Sequence, residues 1–496
     1  LPDNCFTFFQ MFPGGFTPNF GGNITDTSLA IGTKGEFKNG FMEGILYDFS
    51  GVVGRSESTF QLFNSVNASL GPETPTDFSA GKYIQLEKTF TADFVKYISA
   101  GLYEDLTVAF GTQWTEESFE IVAGEQASWE VGPYVDQGLS NGSNGFPGFQ
   151  PQTAGTSTRR NYAAYVDVEA EFTENLLGAL AVRFEDYDSF GTTTNYKLTG
   201  QYRLSDDWAL RASTSTGFRA PTVGQANVSN VRTELNQGVL VDVGVLPPTN
   251  PVAILKGATE LEPEESTSYA FGVVYTGYDF FITADYYRID VDDRISQSTA
   301  FEVTQEEIEA LKAAGVRGID SLTSITYLTN DFDTRTQGVD VVANYSMDLF
   351  DGRSSFALAY NWNDTEVTRF TDITGEFRVS RLENDLPNHR ATFTWTQSWD
   401  DLSMFLRTNY YGSYQGVHAD DPGFAVNATW EVTLDAEVSY FVNDNFIVSV
   451  GAQNLLDNEP AELPEEWKTI LGGKYFETSP MGINGGYWYL KGTYKF

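Results

Sequence analysis

Few side chains in this sequence are of the types that do chemistry near neutral pH, and their spacing points away from catalysis. The chain has two histidines, His389 and His418, and one cysteine, Cys5. It contains no HExxH and no CxxC, and nothing in its pattern marks a serine nucleophile elbow. No enzyme is expected, and no cofactor is implied. His418 stands with Asp420 and Asp421 in VHADDPG, a set that can ligate a metal but equally suits a solvated loop turn, the reading preferred here. Asp290, Asp292 and Asp293 in DVDDR lack the glycine and distal glutamate of a calcium loop. His389 falls next to a strand start, where a rim position is expected.

The remaining candidates are ligand-binding residues on loops. Asn141 to Phe149 reads NGSNGFPGF, a turn-rich loop tip. Its Phe146 and Phe149, with Trp129 and Tyr134, can stack on a sugar or an aromatic siderophore, or can simply pack the long loop. Both readings stand. Arg219, Tyr414 and His418 complete the set, with a rim charge making loop hydrogen bonds as the preferred role of Arg219.

The elements that hold these residues are strands. With 38 Phe, 26 Tyr, 9 Trp and 46 Gly against only 20% charged residues, the composition suits many strands with aromatic belts and glycine-marked bends. No run approaches the roughly 18–20 apolar residues of a membrane helix. A mean hydropathy of −0.28 does not exclude a membrane, because only alternate residues of a barrel strand face lipid. The net charge of −38 repels nucleic acid, so no nucleic-acid partner is expected. Acidity of this kind suits soluble exterior loops.

Alternation is the strongest signal. From Arg390 to Trp399, Ala391, Phe393, Trp395 and Trp399 fall on one face, opposed by Arg390, Thr392, Thr394, Thr396 and Ser398. From Trp430 to Val442 a seven-residue apolar face opposes Glu431, Thr433, Asp435, Glu437 and Ser439. Outside a membrane, that many aromatic stripes would aggregate. Connections alternate between tight ones, such as Glu174-Asn175-Leu176 and Trp399-Asp400-Asp401, and long ones near 124–159, 219–264, 296–333, 368–387, 415–429 and 458–485. Short periplasmic turns and long extracellular loops have this asymmetry. Residues 304–316, TQEEIEALKAAGV, are expected as a helix inside one loop, packed as an ornament rather than moving as a lid.

The expected fold is therefore all-β: a transmembrane antiparallel β-barrel of about 17 strands over 27–496, after a partial extracellular loop at 1–26. Seventeen is odd, so the first and last strands run the same way and cannot pair antiparallel. An unpaired edge in lipid is costly, which implies that strands upstream are missing from this chain.

Several motifs then resemble a known family. Ser215 to Thr222, STGFRAPT, looks like a strand-top stretch of TonB-dependent outer-membrane receptors. Leu261-Glu262-Pro263-Glu264-Glu265-Ser266 followed by Asp285-Tyr286-Tyr287-Arg288-Ile289-Asp290, then Thr336 to Asp340, Gly451 to Asp457 and the terminal Phe496, resemble the rest of its C-terminal part, and Phe12 to Gly22 resembles one of its loops. The resemblance implies a barrel of about 22 strands with a plugged lumen. It implies a Gram-negative outer-membrane uptake receptor that binds a small-molecule nutrient or metal chelate outside and imports it with TonB-coupled energy. A passive porin-like channel and a surface adhesion or structural barrel are the alternatives. The partners expected are outer-membrane lipid and TonB, the latter through a plug segment that this chain lacks. The missing strands and plug can also come from a second chain. Trp488, Leu490, Tyr494 and Phe496 form the lipid face of a last strand that looks like the family's membrane-insertion signal. Cys5 is expected to pair with a cysteine in the missing part of its loop.

Overall fold

The computed structural model describes residues 7–135, 139–236, 239–313, 322–417, 425–476 and 479–496. Among these the main sheet holds 20 strands, of which Asn230–Asn236, Val239–Leu246 and Phe301–Glu302 belong to loops. The other 17 form one antiparallel wall in sequence order. They begin with β1 Asn19–Glu36, β2 Ile45–Phe63, β3 Phe78–Ile98, β4 Leu106–Val122, β5 Gly155–Thr173 and β6 Leu176–Tyr187. Next come β7 Gly191–Arg203, β8 Trp208–Arg219, β9 Glu264–Gly277, β10 Phe280–Gln297, β11 Ser324–Leu349 and β12 Gly352–Arg369. The wall ends with β13 His389–Ser398, β14 Leu402–Tyr411, β15 Glu431–Asn443, β16 Phe446–Gln453 and β17 Tyr487–Tyr494. This is the transmembrane β-barrel wall that alternation predicts. Among the described residues no pairing joins β1 to β17, and both run from the long-loop end to the short-turn end.

Register fixes the faces. Phe356 opposes Trp395 and Leu358 opposes Phe393, while Thr394 and Thr396 lie on the other face with Arg407 and Phe405. Because side chains alternate with period two, one pairing of apolar residues sets the outer face of every neighbour. On β17, Trp488, Leu490 and Tyr494 pair with Ala452, Val450 and Phe446 of the outer face, and Lys491 pairs with Ser449 of the inner one. The in–out assignment of the last strand is thus the expected one.

Aromatic rings line the outer face near the short turns. Phe37, Tyr47, Phe49, Phe94 and Phe110 touch in series at 4.7, 5.4, 5.7 and 5.2 Å. Trp208, Tyr275, Phe280 and Tyr345 continue the band at 4.8, 6.1 and 6.0 Å. Above Trp114 and Tyr162, which pair across β4 and β5, the same outer face turns ionic. Lys88 and Arg160 flank Glu116 at 2.8 and 2.7 Å there, as Arg288 and Arg335 flank Asp290 at 2.7 and 2.9 Å farther along. Rings at the membrane interface with charges beyond them match the polarity gradient of a bilayer.

Two tight turns show what closes the hairpins. Tyr278 and Asp279 have φ of 49° and 61°, and Phe350 and Asp351 have 54° and 56°. Two successive left-handed residues are what a type I′ turn needs to match the twist of its strands.

The structure departs from the sequence reading at element starts. β1 begins at Asn19, inside the segment 1–26 expected as loop, because NFGGNITD shows no apolar alternation and becomes a strand by pairing with Ser56 to Phe63. β11 begins at Ser324, ten residues before the expected 334. Its first part is covered on both faces, with Ile325, Tyr327 and Phe332 at most 1% exposed, so it reads as a continuous run rather than an alternation. The loops are also more ordered than expected. Val239–Leu246 pairs in parallel with the start of β11. Leu246, Val252, Ala253, Val303, Ile308, Ile325 and Tyr327 then share a small apolar core. The expected helix at 304–316 is observed as Gln305–Ala313, and its end with Gly315 lies outside the described residues. Thr304 and Glu307 cap it reciprocally, Thr304 N–H donating to the Glu307 carboxylate at 2.8 Å and Glu307 N–H to Thr304 Oγ1 at 3.3 Å. With Ile308 buried in that core, the helix packs as an ornament.

Candidate functional site

The long-loop mouth brings together side chains from both walls and loops. Phe60 of β2, Tyr83 of β3 and Phe119 of β4 stand on the inner face, the face of Gln113, Thr115 and Glu117. The loop after β4 folds back onto them. Phe149 stacks on Tyr83 at 4.6 Å and meets Phe60 edge-on at 5.6 Å, and Phe146 lies 4.9 Å from Phe20 and 5.5 Å from Phe60. Gly81 makes the approach possible: its φ is +110°, and a Cβ there would sit 2.7 Å from Phe149 Cδ2. Phe149 is 2% exposed, so its ring is spent on internal packing, whereas Phe20 is 57% exposed and Phe146 half-buried.

Trp129 and Tyr134 belong to the same folded loop. Trp129 Nε1 donates to Gly124 O at 3.1 Å, and the Tyr134 ring lies against Gly71, a left-handed residue with φ +58°. A buried asparagine that sequence reasoning did not single out ties this loop to the preceding one. Asn67 Nδ2 donates to Ala127 O and Glu130 O at 2.9 Å each, and its Oδ1 accepts from Ser69 N–H at 3.2 Å and Ser69 Oγ at 2.7 Å. A fully satisfied buried amide fixes a unique loop conformation. The local trace in sequence is Asn67 capping the short turn Ala68–Glu73, which says nothing of its contacts 60 residues away.

The other expected residues lie elsewhere on the rim. Arg219 ends β8 and grips Glu264 of β9 at two points, so it holds strands together there. Tyr414 follows β14, far along the wall from β4. It is 8% exposed, its hydroxyl donates to Ser479 Oγ at 3.4 Å, and burial pushes that hydroxyl's pKa up. His389 is at the rim as expected, Nδ1 within 2.9 Å of Tyr360 Oη. His418, Asp420, Asp421 and Cys5 lie outside the described residues. Among the described residues no group of three His, Cys, Asp or Glu is placed to hold a metal ion. Asp290 and Asp293 are instead taken up by arginines, Asp293 by Arg369 at 2.7 Å.

Chemically, the mouth offers flat apolar faces from Phe20 and Phe146 above an inner wall of ion pairs. Arg211 and Asp285 meet there at 2.7 and 2.6 Å, and Arg159–Glu117 and Arg183–Glu185 are also in contact. Such an arrangement can stack a flat ligand on its rings and meet polar groups with its ion pairs.

Comparison with known proteins agrees. Residues 8–455 match the family described as TonB dependent receptor-like, beta-barrel. A vitamin B12 transporter, BtuB of Vibrio cholerae, is 22% identical over 391 residues, covering 77% of this chain and 48% of that protein. The siderophore receptor PirA from Acinetobacter baumannii superposes with a TM-score of 0.64 at 13% identity, over 96% of this chain and 63% of its own. A variant of the ferric enterobactin receptor PfeA from Pseudomonas aeruginosa gives 0.62 at 14% identity, over 96% and 62%. The chain spans about half the length of the curated relatives it matches.

Proposed function

This chain belongs to the TonB-dependent receptor β-barrel family of the Gram-negative outer membrane, and from that premise we propose that it is the wall and extracellular face of an energy-coupled uptake receptor. It takes a scarce nutrient from outside and passes it inward with energy delivered through TonB. The family match over residues 8–455 carries this reading. Vitamin B12 and ferric siderophores, named for the relatives, are the first ligands to try.

The two edges, β1 and β17, run in the same direction, so an odd number of additional strands is needed to seal the wall. We place those strands, with a plug and its TonB-contacting segment, in polypeptide beyond the 496 residues of this chain. Uptake of radiolabelled nutrient by cells carrying the intact receptor, with and without a functional TonB, tests the proposal. Accumulation that stops when TonB is removed is expected. Accumulation unchanged without TonB, together with a large steady single-channel conductance, would favour the passive channel and overturn it.

A further inference from the structure

A second recess opens at the extracellular rim, many strands along the wall from the aromatic mouth. It measures about 640 Å³ and lies between the helix Gly375–Asn384, the start of β13 and the hairpin of Tyr414–Val417 with Ala425–Ala428. Its volume falls in the range of small-molecule sites, roughly 300–1,000 Å³. Four of its lining side chains are carboxamides, Asn384, Asn388, Gln415 and Asn427, joined by His389 and Tyr414. None of the described lining residues carries a carboxylate, an ammonium or a guanidinium, although charged side chains crowd the rest of the rim.

The amides are held in place. Gln415 Nε2 donates to Asn427 Oδ1 at 3.1 Å, Asn384 Nδ2 to Ser380 O at 2.9 Å, and Asn388 Nδ2 to Asp364 Oδ1 at 3.2 Å. In these bonds Asn384 and Asn388 use their amide nitrogens and Asn427 its oxygen, whereas Gln415 is engaged at both ends. Among the described residues this leaves the opposite end of each of the three asparagine amides for the recess. His389 does the same, with Nδ1 against Tyr360 Oη at 2.9 Å and Nε2 left over. The elements are braced too: Ser380 Oγ donates to Gln415 Oε1 at 3.4 Å, joining helix to hairpin.

From this lining we infer that the recess is a subsite for a neutral, polyhydroxylated ligand, that is, a saccharide. A hydroxyl both donates and accepts, and a carboxamide is the uncharged side chain that answers both roles. Among the described lining residues an anionic ligand finds no cation, and a bare metal ion no carboxylate or thiolate. Two sources supply such a ligand at this height: a free oligosaccharide and the sugar headgroup of an outer-leaflet glycolipid. The inference rests on the uptake reading for what becomes of the ligand, and on the recess alone for whether it binds.

Titration calorimetry on the intact receptor in detergent tests it, with maltotriose, cellotriose and laminaritriose as free saccharides, the delipidated core oligosaccharide of lipopolysaccharide as the headgroup arm, and citrate as the anionic comparator. Saturable binding of at least one neutral saccharide or of the core oligosaccharide is expected, weakened about tenfold by Asn427→Ala and again by Asn384→Ala, as loss of one or two hydrogen bonds predicts. Circular dichroism and heat-modifiable gel mobility confirm that each variant keeps its barrel. Binding to the free trisaccharides alone marks a nutrient subsite, and binding to the core oligosaccharide alone a lipid contact; both uphold the inference. Binding of citrate in preference to every sugar, no sugar binding at millimolar concentration, or sugar binding indifferent to both substitutions would overturn it. TonB-dependent uptake of another nutrient in that case would leave the proposed function standing, so the two failures are separable.

Discussion

Arg219 and Glu264 face each other across the pairing of β8 and β9, Nε to Oε2 at 2.8 Å and Nη2 to Oε1 at 2.5 Å. The carboxylate is only 7% exposed and also accepts from the Ile295 N–H of β10 at 2.7 Å, so one glutamate joins three strands at the rim. Arg219→Ala leaves that carboxylate buried without its cation. The expected cost is about 1–3 kcal/mol, discounted for the half-exposed arginine. Hydrogen exchange should rise over 219–228 and 295–298, with ligand affinity changing less than threefold. A tenfold loss of affinity with unchanged exchange would instead make Arg219 a ligand contact.

Phe149 anchors the folded loop on Tyr83. Phe149→Ala is expected to lower the free energy of opening the 124–154 loop by about 3–5 kcal/mol, the usual cost of emptying a buried aromatic position. Gly81→Ala should release the same loop by a different route, since its left-handed backbone and the 2.7 Å approach of Phe149 both oppose a side chain. Limited proteolysis within 124–154 reports both effects. Resistance equal to wild type in the two variants would mean that Asn67, not the ring stack, holds the loop.

Acid should loosen the helix Gln305–Ala313. Hydrogen bonds from Lys256 and Thr304 hold the Glu307 carboxyl below its ordinary pKa of 4.5, Lys256 Nζ lying 2.6 Å away. A lowered folded pKa contributes stability above the unfolded value and loses it as pH falls through the folded one. Amide protection in 305–313 is therefore expected to hold from pH 7 to about 5 and to decline below about 4.5. Glu307→Gln keeps a capping side chain at the third helical position but not the charge, so it should lower protection at neutral pH and flatten the acid dependence. An unchanged acid profile in that variant would assign the transition to another group.

Neighbouring residues of β17 should respond oppositely to charge. Leu490 is 75% exposed on the outer face, and Leu490→Arg should cost roughly 2–4 kcal/mol if it lies near the bilayer midplane. Lys491 is directed inward, and Lys491→Gln should stay within about 0.5 kcal/mol. Removal of Phe496 is expected to reduce the amount of inserted barrel several-fold without altering what is inserted. Urea titration in lipid vesicles and quantitation of outer-membrane protein measure these effects. A one-residue slip of β17 would reverse the first two.

The seventeen strands, their tight turns and the outward Trp488, Leu490 and Tyr494 were legible in the sequence because their cause is local. A strand with one apolar face writes its orientation into every second residue, and the partner strand is the next in line. Where that cause failed, so did the reading: NFGGNITD at the start of β1 carries no alternation, and the buried start of β11 has no polar face.

The mouth and the rim recess are another matter. Phe146 and Phe149 announced an aromatic loop tip, but whether the rings faced a ligand or the protein depended on where the rest of the loop returned the chain. Tertiary structure settled Phe149 against Tyr83, Asn67 against Ala127 and Glu130, and Asn384 beside Gln415. These residues lie 66, 60 to 63 and 31 positions apart, and no period in the sequence connects them. A period of two determines which way a side chain points from the wall. Only the path of the loops, set by burial and by satisfied hydrogen bonds, decides what it meets.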